Sequence, residues 1–442
     1  MYTNKNYERD INYTYELNRF VFRLLGIWPY ATTNVWLLQK MEKIVLVFGS
    51  FVLLIFELIS MLLYIFIVLK ETRARIKVTA TLLFTIVSIL KYSNLLYVKN
   101  QLKSCVTRVE EDFQSVISPA TRNTMLFHAR TGRRLFILCS IFMYSAGFSF
   151  RTLIPLSRGK IVTAQNITIR PLPSPAYYVV FDPQISPAYE IVFFMQCFAG
   201  FLKYTITVAA CGIAALFTMH IVARLDILVT LMNNLTHEHE VENINRKLSV
   251  IVEHQIRTRD FLHMVQGAIQ FSSLVEVMTC TSILCLIMYY VIMEWEASNV
   301  VATCTYFIVL ISLTFNIFIY CFIGEQLSEK GEQVALTACT LDWHLLPNTQ
   351  ARALILIILV SNTPLKLKAG NFVELSFKTF GAVSMSFARK LQLFYFYFTV
   401  PIFLNASALK ALISEIFFPW SNGKAINKNI LYFRLLRRSW VT

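Results

Sequence analysis

Six apolar runs, each long enough to cross a bilayer as a helix, leave this chain little choice of architecture. They are Ile44–Leu69, Val78–Val98, Leu135–Leu156, Ile191–His220, Phe271–Met293 and Val300–Phe322; roughly 20 residues span the hydrocarbon core. A weaker seventh run covers Phe377–Leu404. Within lipid, backbone polar groups must be paired inside the chain, so such runs predict helices and an all-α polytopic membrane protein. Composition agrees: 56% of the 442 residues are hydrophobic and 15% charged, against about a quarter charged in soluble domains. Met1–Lys40 is polar and lacks an apolar core ahead of a cleavage site. The first run is therefore expected to stay as a membrane helix.

The net charge of +15 lies in loops, without an aromatic-interleaved stripe, which speaks for membrane topology and against nucleic acid. Lys5, Arg9, Arg19, Arg23 and Lys40 precede the first run, and Lys99, Lys103, Arg108, Arg122, Arg130, Arg133 and Arg134 lie between the second and third. The fifth-to-sixth loop EWEASN has no positive residue. This distribution predicts a cytoplasmic N-terminus and, with seven transmembrane helices, an extracellular C-terminus. Lys70–Lys77, KETRARIK, dissents as a basic outer loop. In this topology Ser157–Ala188, with five prolines, is an extended outer loop suited to lidding a cavity, and its Asn166 is a candidate glycosylation site. The fourth run continues as a helix to Asn234, and Asn233–Gln270 extends the fifth inward.

Catalytic and metal chemistry find no foothold. His237–Glu240, HEHE, is not HExxH, and neighbours at i and i+2 point to different helix faces. The nine cysteines show no zinc spacing, and most fall in apolar runs as buried thiols. No enzyme activity, cofactor or metal is expected.

Charged residues inside the runs are costly unless they face the bundle interior. Glu57, Lys91, Lys203 and Glu276 lie inside, with Arg151 near an outer end. They read either as paired structural glue, with snorkelling open to Arg151 and Lys91, or as contacts to a ligand or water path. Aromatics crowd the same outer halves. Tyr144, Phe148 and Arg151 follow at i, i+4, i+7, as do Phe194, Phe198 and Phe201, with Phe84 and Tyr306 at matching depth. An apolar pocket with few polar groups suits a small volatile ligand; the candidate pocket residues are Phe84, Tyr144, Phe148, Arg151, Phe194, Phe198 and Tyr306. The alternative for each residue singly is ordinary helix packing.

After the sixth run the chain turns amphipathic. In GEQLSEKGEQVALTACTLDWHLLP (Gly324–Pro347), Leu327, Val334, Ala338, Leu341 and Leu345 recur at helical spacing. Ala353–Val360 is apolar but too short to span, so it reads as the core of a small cytosolic layer. Together with ALILIILVSNTPLKLKAGNFVELSFKTF, this stretch resembles the C-terminal signature of insect odorant receptors. The matching positions include Gly324, Leu327, Ser328, Val334, Trp343, Pro347, Pro364, Gly370, Thr379 and Phe380. VEHQIRTRDFLHMVQGAIQFSSLVEV, with His254, resembles the family's helix leading into the fifth span.

The resemblance implies a volatile-ligand-binding subunit of a heteromeric odorant-gated cation channel, a heterotetramer in the plasma membrane of olfactory neuron dendrites. It implies a split seventh helix with a cytosolic anchor layer, in which Leu327, Val334, Ala338, Leu341, Trp343 and Leu345 serve assembly. No long insertion separates the fourth and fifth spans, so the chain resembles a tuning receptor whose partner is the co-receptor. The implied division is 1–43 cytoplasmic segment; 44–232 ligand-binding helices one to four; 233–270 cytoplasmic extension; 271–322 helices five and six; 323–370 anchor; 371–404 pore helix; and 405–442 an atypical tail. Arg389 and Lys390 interrupt the last span, and the chain continues beyond the family pattern, either as a lineage-specific tail or through a misassigned final exon. A gustatory-receptor-like channel is the alternative, although no Gln-Phe pair follows Thr379–Phe380. A G-protein-coupled receptor fits less well, lacking an acidic-Arg-aromatic triplet after the third span and an NPxxY motif.

Overall fold

The computed structural model describes residues 4–389, apart from 5, 29–36, 71, 117, 160, 163–167, 180, 236–240, 297–298, 342–347 and 386–388. Asn166, His237–Glu240, Trp343, Leu345 and the tail 405–442 therefore lie outside the described residues, as does most of the seventh run.

Helices dominate. In chain order they are α1 (Tyr7–Leu24), α2 (Leu37–Leu63), α3 (Thr72–Tyr97), α4 (Lys99–Gln114), α5 (Pro119–Phe148), α6 (Ile154–Arg158), α7 (Ala188–Asn233), α8 (Val241–Glu296), α9 (Val300–Thr340) and α10 (Asn348–Ser361). A last described helix, α11, covers 377–385. Wider π turns prolong α2 over Tyr64–Val68 and α5 over Ser149–Leu153. Two small hairpins complete the described chain: β1 (Ile161–Val162) with β2 (Thr168–Ile169), and β3 (Lys368–Ala369) with β4 (Val373–Glu374), both antiparallel.

Among the described residues, six helices are long and apolar enough to cross a membrane: Met41–Val68, Val78–Tyr97, Pro119–Ser157, Ala188–Asn233, Glu242–Val291 and Val300–Thr340. They coincide with the six apolar runs, and the chain is an all-α polytopic membrane protein. KETRARIK differs from expectation: from Thr72 onward it forms the opening turns of α3.

The central helix is α7. At 46 residues it is about 70 Å long at 1.5 Å per residue, so it outruns a bilayer. Its hydrophobic window is wholly buried, whereas α2 keeps its apolar surface outward, with Ile44, Val45 and Phe48 exposed. Small residues explain how α7 occupies the middle. Ala209, Ala210, Cys211, Gly212, Ala214 and Ala215 form one run, and small side chains let membrane helices approach closely. A methyl group at Gly212 would lie 2.3 Å from Phe136 on α5 and 2.6 Å from Asn18 on α1. Helix starts follow capping rules: Ser118 accepts from the Thr121 amide at 3.2 Å ahead of Pro119, and Asn299 accepts from Ala302 N at 3.3 Å.

At one end, α8 and α9 extend past the bundle and pack against α10 and the β3–β4 hairpin. The hairpin turns at Gly370, whose φ of +59° is the left-handed region open to glycine. Its amide donates to Gln270 O at 2.9 Å, and a side chain there would strike Leu274. Leu354 and Ile357 of α10 are buried, but Ile355, Leu356 and Leu359 are about two-thirds exposed. Ala353–Val360 is thus an amphipathic helix with one open face, not a wholly buried core.

Candidate functional site: a cavity beside a buried ion cluster

Away from the hairpin, the helices line a half-open cavity of about 70 Å³. Its wall is built from Ala80, Thr81 and Phe84 of α3, Met143 and Ala146 of α5, and Phe150 and Arg151 of its π turn. Tyr204 of α7, Ile283, Ile287 and Tyr290 of α8, and Tyr306, Val309, Ser312 and Leu313 of α9 complete it. Tyr306 lies between Tyr290, at 5.6 Å between ring centres, and Phe150, at 6.1 Å. A larger void of about 580 Å³ lies at the hairpin end, but Asp112, Arg224, Glu253, His254 and Arg257 line it. Apolar and aromatic walls with a few polar groups mark the smaller cavity as the ligand-type site.

Of the seven pocket candidates, Phe84, Arg151 and Tyr306 come together on this cavity. Tyr144 does not reach it; it stacks on Phe201 and shares a hydrogen bond of 3.0 Å with Thr205. Phe148, Phe194 and Phe198 are exposed on the outside of the bundle. The expected face of Tyr144, Phe148 and Arg151 breaks at the π turn, where i→i+5 bonding advances the chain more slowly around the axis than an α-helix does. On α7 the polar stripe decides orientation. Gln196, Gly200 and Lys203 face inward and are buried, which leaves the Phe194–Phe198 face for lipid. Tyr204, Tyr290 and Met143 were not singled out from sequence. Gly147 of α5 makes room for the first, since a methyl group there would lie 2.3 Å from the Tyr204 ring.

The ionisable residues are paired and buried, so neither Arg151 nor Lys91 snorkels. Glu57 of α2 is fully buried. Its Oε1 accepts from Arg151 Nη2 at 2.6 Å and Lys203 Nζ at 2.9 Å. The Ser174 hydroxyl donates to the same oxygen at 3.0 Å. Lys203 also donates to Thr85 Oγ1 at 2.9 Å and lies 5.8 Å over the Phe84 ring. Gln196 completes the cluster: its carbonyl accepts from Arg151 Nη1 at 2.8 Å and its side chain accepts from Ser174 N at 2.9 Å. Ser174 thereby ties the proline-rich loop to Glu57, whose partner Arg151 lines the cavity. Tyr177 N donates to Ser60 O, and Tyr178 stacks between Phe56 and Phe181.

Two turns from the cavity along α3 and α8, Lys91 of α3 pairs with Glu276 of α8 and donates to Thr207 of α7 at 2.9 Å. Asn316 of α9 donates to Glu276 Oε1 at 2.5 Å. This second cluster joins four helices. Farther along α7, Asp112 accepts from His220 at 2.9 Å and pairs with Arg224. Burial would push the Asp112 carboxyl up, but these partners hold it down to about 2. Among the assembly candidates, Leu327, Val334, Ala338 and Leu341 are buried in the chain's own core. The described residues contain no group of three or more His, Cys, Asp or Glu placed to hold a metal.

The profile of the 7tm odorant receptor family matches residues 71–387. Two solved structures of the insect olfactory receptor OR5 from Machilis hrabei, one of them in complex with eugenol, share the fold. Each has a TM-score of 0.72 and 12% identity, covering 88% of this chain and 99% of the other. No curated protein matches the sequence. The profile takes in α3 to α11, including every helix that lines the cavity, and the chain belongs to the 7tm odorant receptor family.

Proposed function

We propose that this chain is a tuning odorant receptor, the ligand-binding subunit of a heteromeric odorant-gated cation channel formed with a co-receptor. The observation that carries this reading is the aromatic-lined, half-open cavity between α3, α5, α7, α8 and α9, with Phe84, Arg151 and Tyr306 on its wall. The solved relative in complex with eugenol supports a small volatile as the occupant. Helix α7 ends at Asn233 and α8 begins at Val241, so no long insertion separates them, in keeping with a tuning subunit. In this reading the N-terminus and the hairpin end are cytoplasmic, and the cavity and proline-rich loop face outward. Asn166 is then an extracellular glycosylation site.

The exposed apolar residues of the anchor, Ile355, Leu356, Leu359, Leu336 and Phe372, provide the surface for neighbouring subunits, with 371–404 as the pore segment. An apolar face this open is expected to be covered in an assembly. The plasma membrane of sensory dendrites is the corresponding site of action. The test is co-expression with a co-receptor and recording of odour-evoked cation current across a broad volatile panel. Absence of current, with both chains at the surface, overturns the proposal.

A further inference from the structure

We infer that the outer face of α5 binds an acidic glycerophospholipid of the membrane, with the exposed Arg130 and Arg134 side chains holding its phosphate. The inference is independent of what fills the cavity.

One face of α5 is left uncovered by the rest of the chain. Phe127, Arg130, Arg134, Leu138 and Ile141 follow at i, i+3, i+7, i+11 and i+14, and all are exposed, so they form one stripe along the helix. The stripe is apolar at Leu138, Ile141 and Phe148, as a lipid-facing surface should be. It turns basic where the apolar run Leu135–Leu156 begins. That run is about 33 Å long at 1.5 Å per residue, close to the thickness of a hydrocarbon core. Arg134 therefore lies about 2 Å, and Arg130 about 8 Å, outside the hydrocarbon. The headgroup layer is about 5–8 Å deep, which puts both side chains at the level of the lipid phosphates. In the topology proposed above this is the cytoplasmic leaflet, the one that carries acidic lipids.

The four arginines of this segment are not equivalent. Arg122 pairs with Asp10 at 2.6 Å, and Arg133 pairs with Glu16 at 3.1 Å and lies over the Tyr13 ring. Both tie α5 to α1. Arg130 and Arg134 make no ion pair or hydrogen bond among the described residues. One helical turn apart, they present two forked donors of the kind that match a phosphate. An open groove of about 450 Å³ adjoins Arg130, with Asn123, Thr124 and Phe127 on its wall, and it gives a headgroup room and polar partners. Asp226, also on the groove, is already engaged by Lys330 at 2.7 Å and by His128. The patch is positive, and the apolar stripe above it offers a bed for the acyl chains of the same lipid.

The experiment places the full chain in nanodiscs of phosphatidylcholine doped with a photoreactive analogue of either phosphatidylglycerol or phosphatidylcholine. Labelling is mapped by peptide over residues 123–141. Both lipids carry the phosphate, but the ammonium of phosphatidylcholine cancels its charge. We expect phosphatidylglycerol to label this segment about 10- to 30-fold more efficiently, the range for two basic residues at a membrane surface. The preference should shrink severalfold as salt is raised to about 1 M, which tests the charge without any variant. Arg130→Gln with Arg134→Gln should abolish it and leave the unfolding temperature in pure phosphatidylcholine discs unchanged, since neither residue has a partner within the chain. Equal labelling by the two lipids, a preference insensitive to salt, or one that survives in the double variant overturns the inference. If the double variant keeps its lipid preference but no longer co-purifies with the co-receptor, the face is a subunit contact, and the inference is likewise overturned.

Discussion

Removing one charge from the Lys91–Glu276 pair should damage this protein more than removing both. The two side chains are 1% and 2% exposed, deep among α3, α7, α8 and α9. Among the described residues, Lys91→Met leaves the Glu276 carboxylate with the donors Asn316 and Cys280. Glu276→Leu leaves the Lys91 ammonium bonded to Thr207. Breaking a buried pair from one side costs roughly 3–5 kcal/mol, because a charge is left uncompensated. If the two losses were independent, the double variant would lose roughly 6–10 kcal/mol, twice the single figure. It leaves neutral orphans instead, chiefly Asn316 and Thr207, at about 1–3 kcal/mol each. A coupling energy of about 3 kcal/mol or more is therefore expected, with Asn316→Leu added to the pair recovering part of the remainder. Equilibrium unfolding of all four proteins in mixed detergent–SDS micelles measures the cycle. Additivity within about 0.5 kcal/mol would refute the pairing as an energetic unit.

Other parts of the structure make separate predictions. Ser174→Ala removes one of the three donors on Glu57 Oε1; a loss of about 1–2 kcal/mol in loop docking should show as faster proteolytic nicking of 170–185, with the helices unaffected. Ile355→Glu with Leu359→Glu places charges on the open face of α10; ligand stabilisation should persist while co-purification with the co-receptor is lost. Asp112 gives a pH signature. Its carboxyl, held at about 2 in the fold against an ordinary value near 4, contributes about 2 kcal/mol at neutral pH. That contribution is fully present above about pH 4 and lost as pH falls through about 2. Asp112→Asn should therefore be less stable than the parent by a constant margin from pH 8 to 5, and the gap should narrow only below about pH 4.

The spans were legible because lipid demands long uninterrupted apolar runs, and nothing else in a chain looks like them. The helical extension past the sixth span was legible as well: Leu327, Val334, Ala338 and Leu341 are all buried, since away from lipid the usual rule of apolar-inside applies. Inside the bilayer that rule inverts. Phe194 and Phe198 are as comfortable in acyl chains as in a core, so an aromatic stripe alone does not say which way it points. The buried polar residues of the same helix, Gln196 and Lys203, do say, because they have no acceptable place in lipid. Tyr144 and Phe148 miss the cavity that Arg151 lines for a different reason: the π turn that breaks their shared face leaves no clear mark in SFRTL. Which cation meets which carboxylate also could not be read. Glu57 and Arg151 are 94 residues apart, and only the packing of α2, α5 and α7 brings them together.

A single helix connects the cavity to the last described helix, and one glycine on it tests the connection. Helix α9 carries Tyr306 and Ser312 at the cavity, Asn316 in the second ion cluster, and Lys330 bound to Asp226 at 2.7 Å near the hairpin. Between them, Phe318 and Phe322 pack on Phe377 of α11, with ring centres 6.0 and 6.3 Å apart. Gly324 lies two residues further along. A methyl group there would fall 2.0 Å from Leu375 O and 2.8 Å from Leu375 Cβ, and the nearest atom is backbone, which cannot rotate away. Gly324→Ala must therefore shift the segment that leads from β4 into α11. Because Gly324 is more than two helical turns from the closest cavity residue, Leu313, ligand stabilisation should stay within about twofold of the parent while odour-evoked current is lost. Unchanged current would show that the close contact of α9 with residue 375 plays no part in gating. Ligand stabilisation lost together with the current would show that Gly324 supports the whole bundle and does not serve the link to α11.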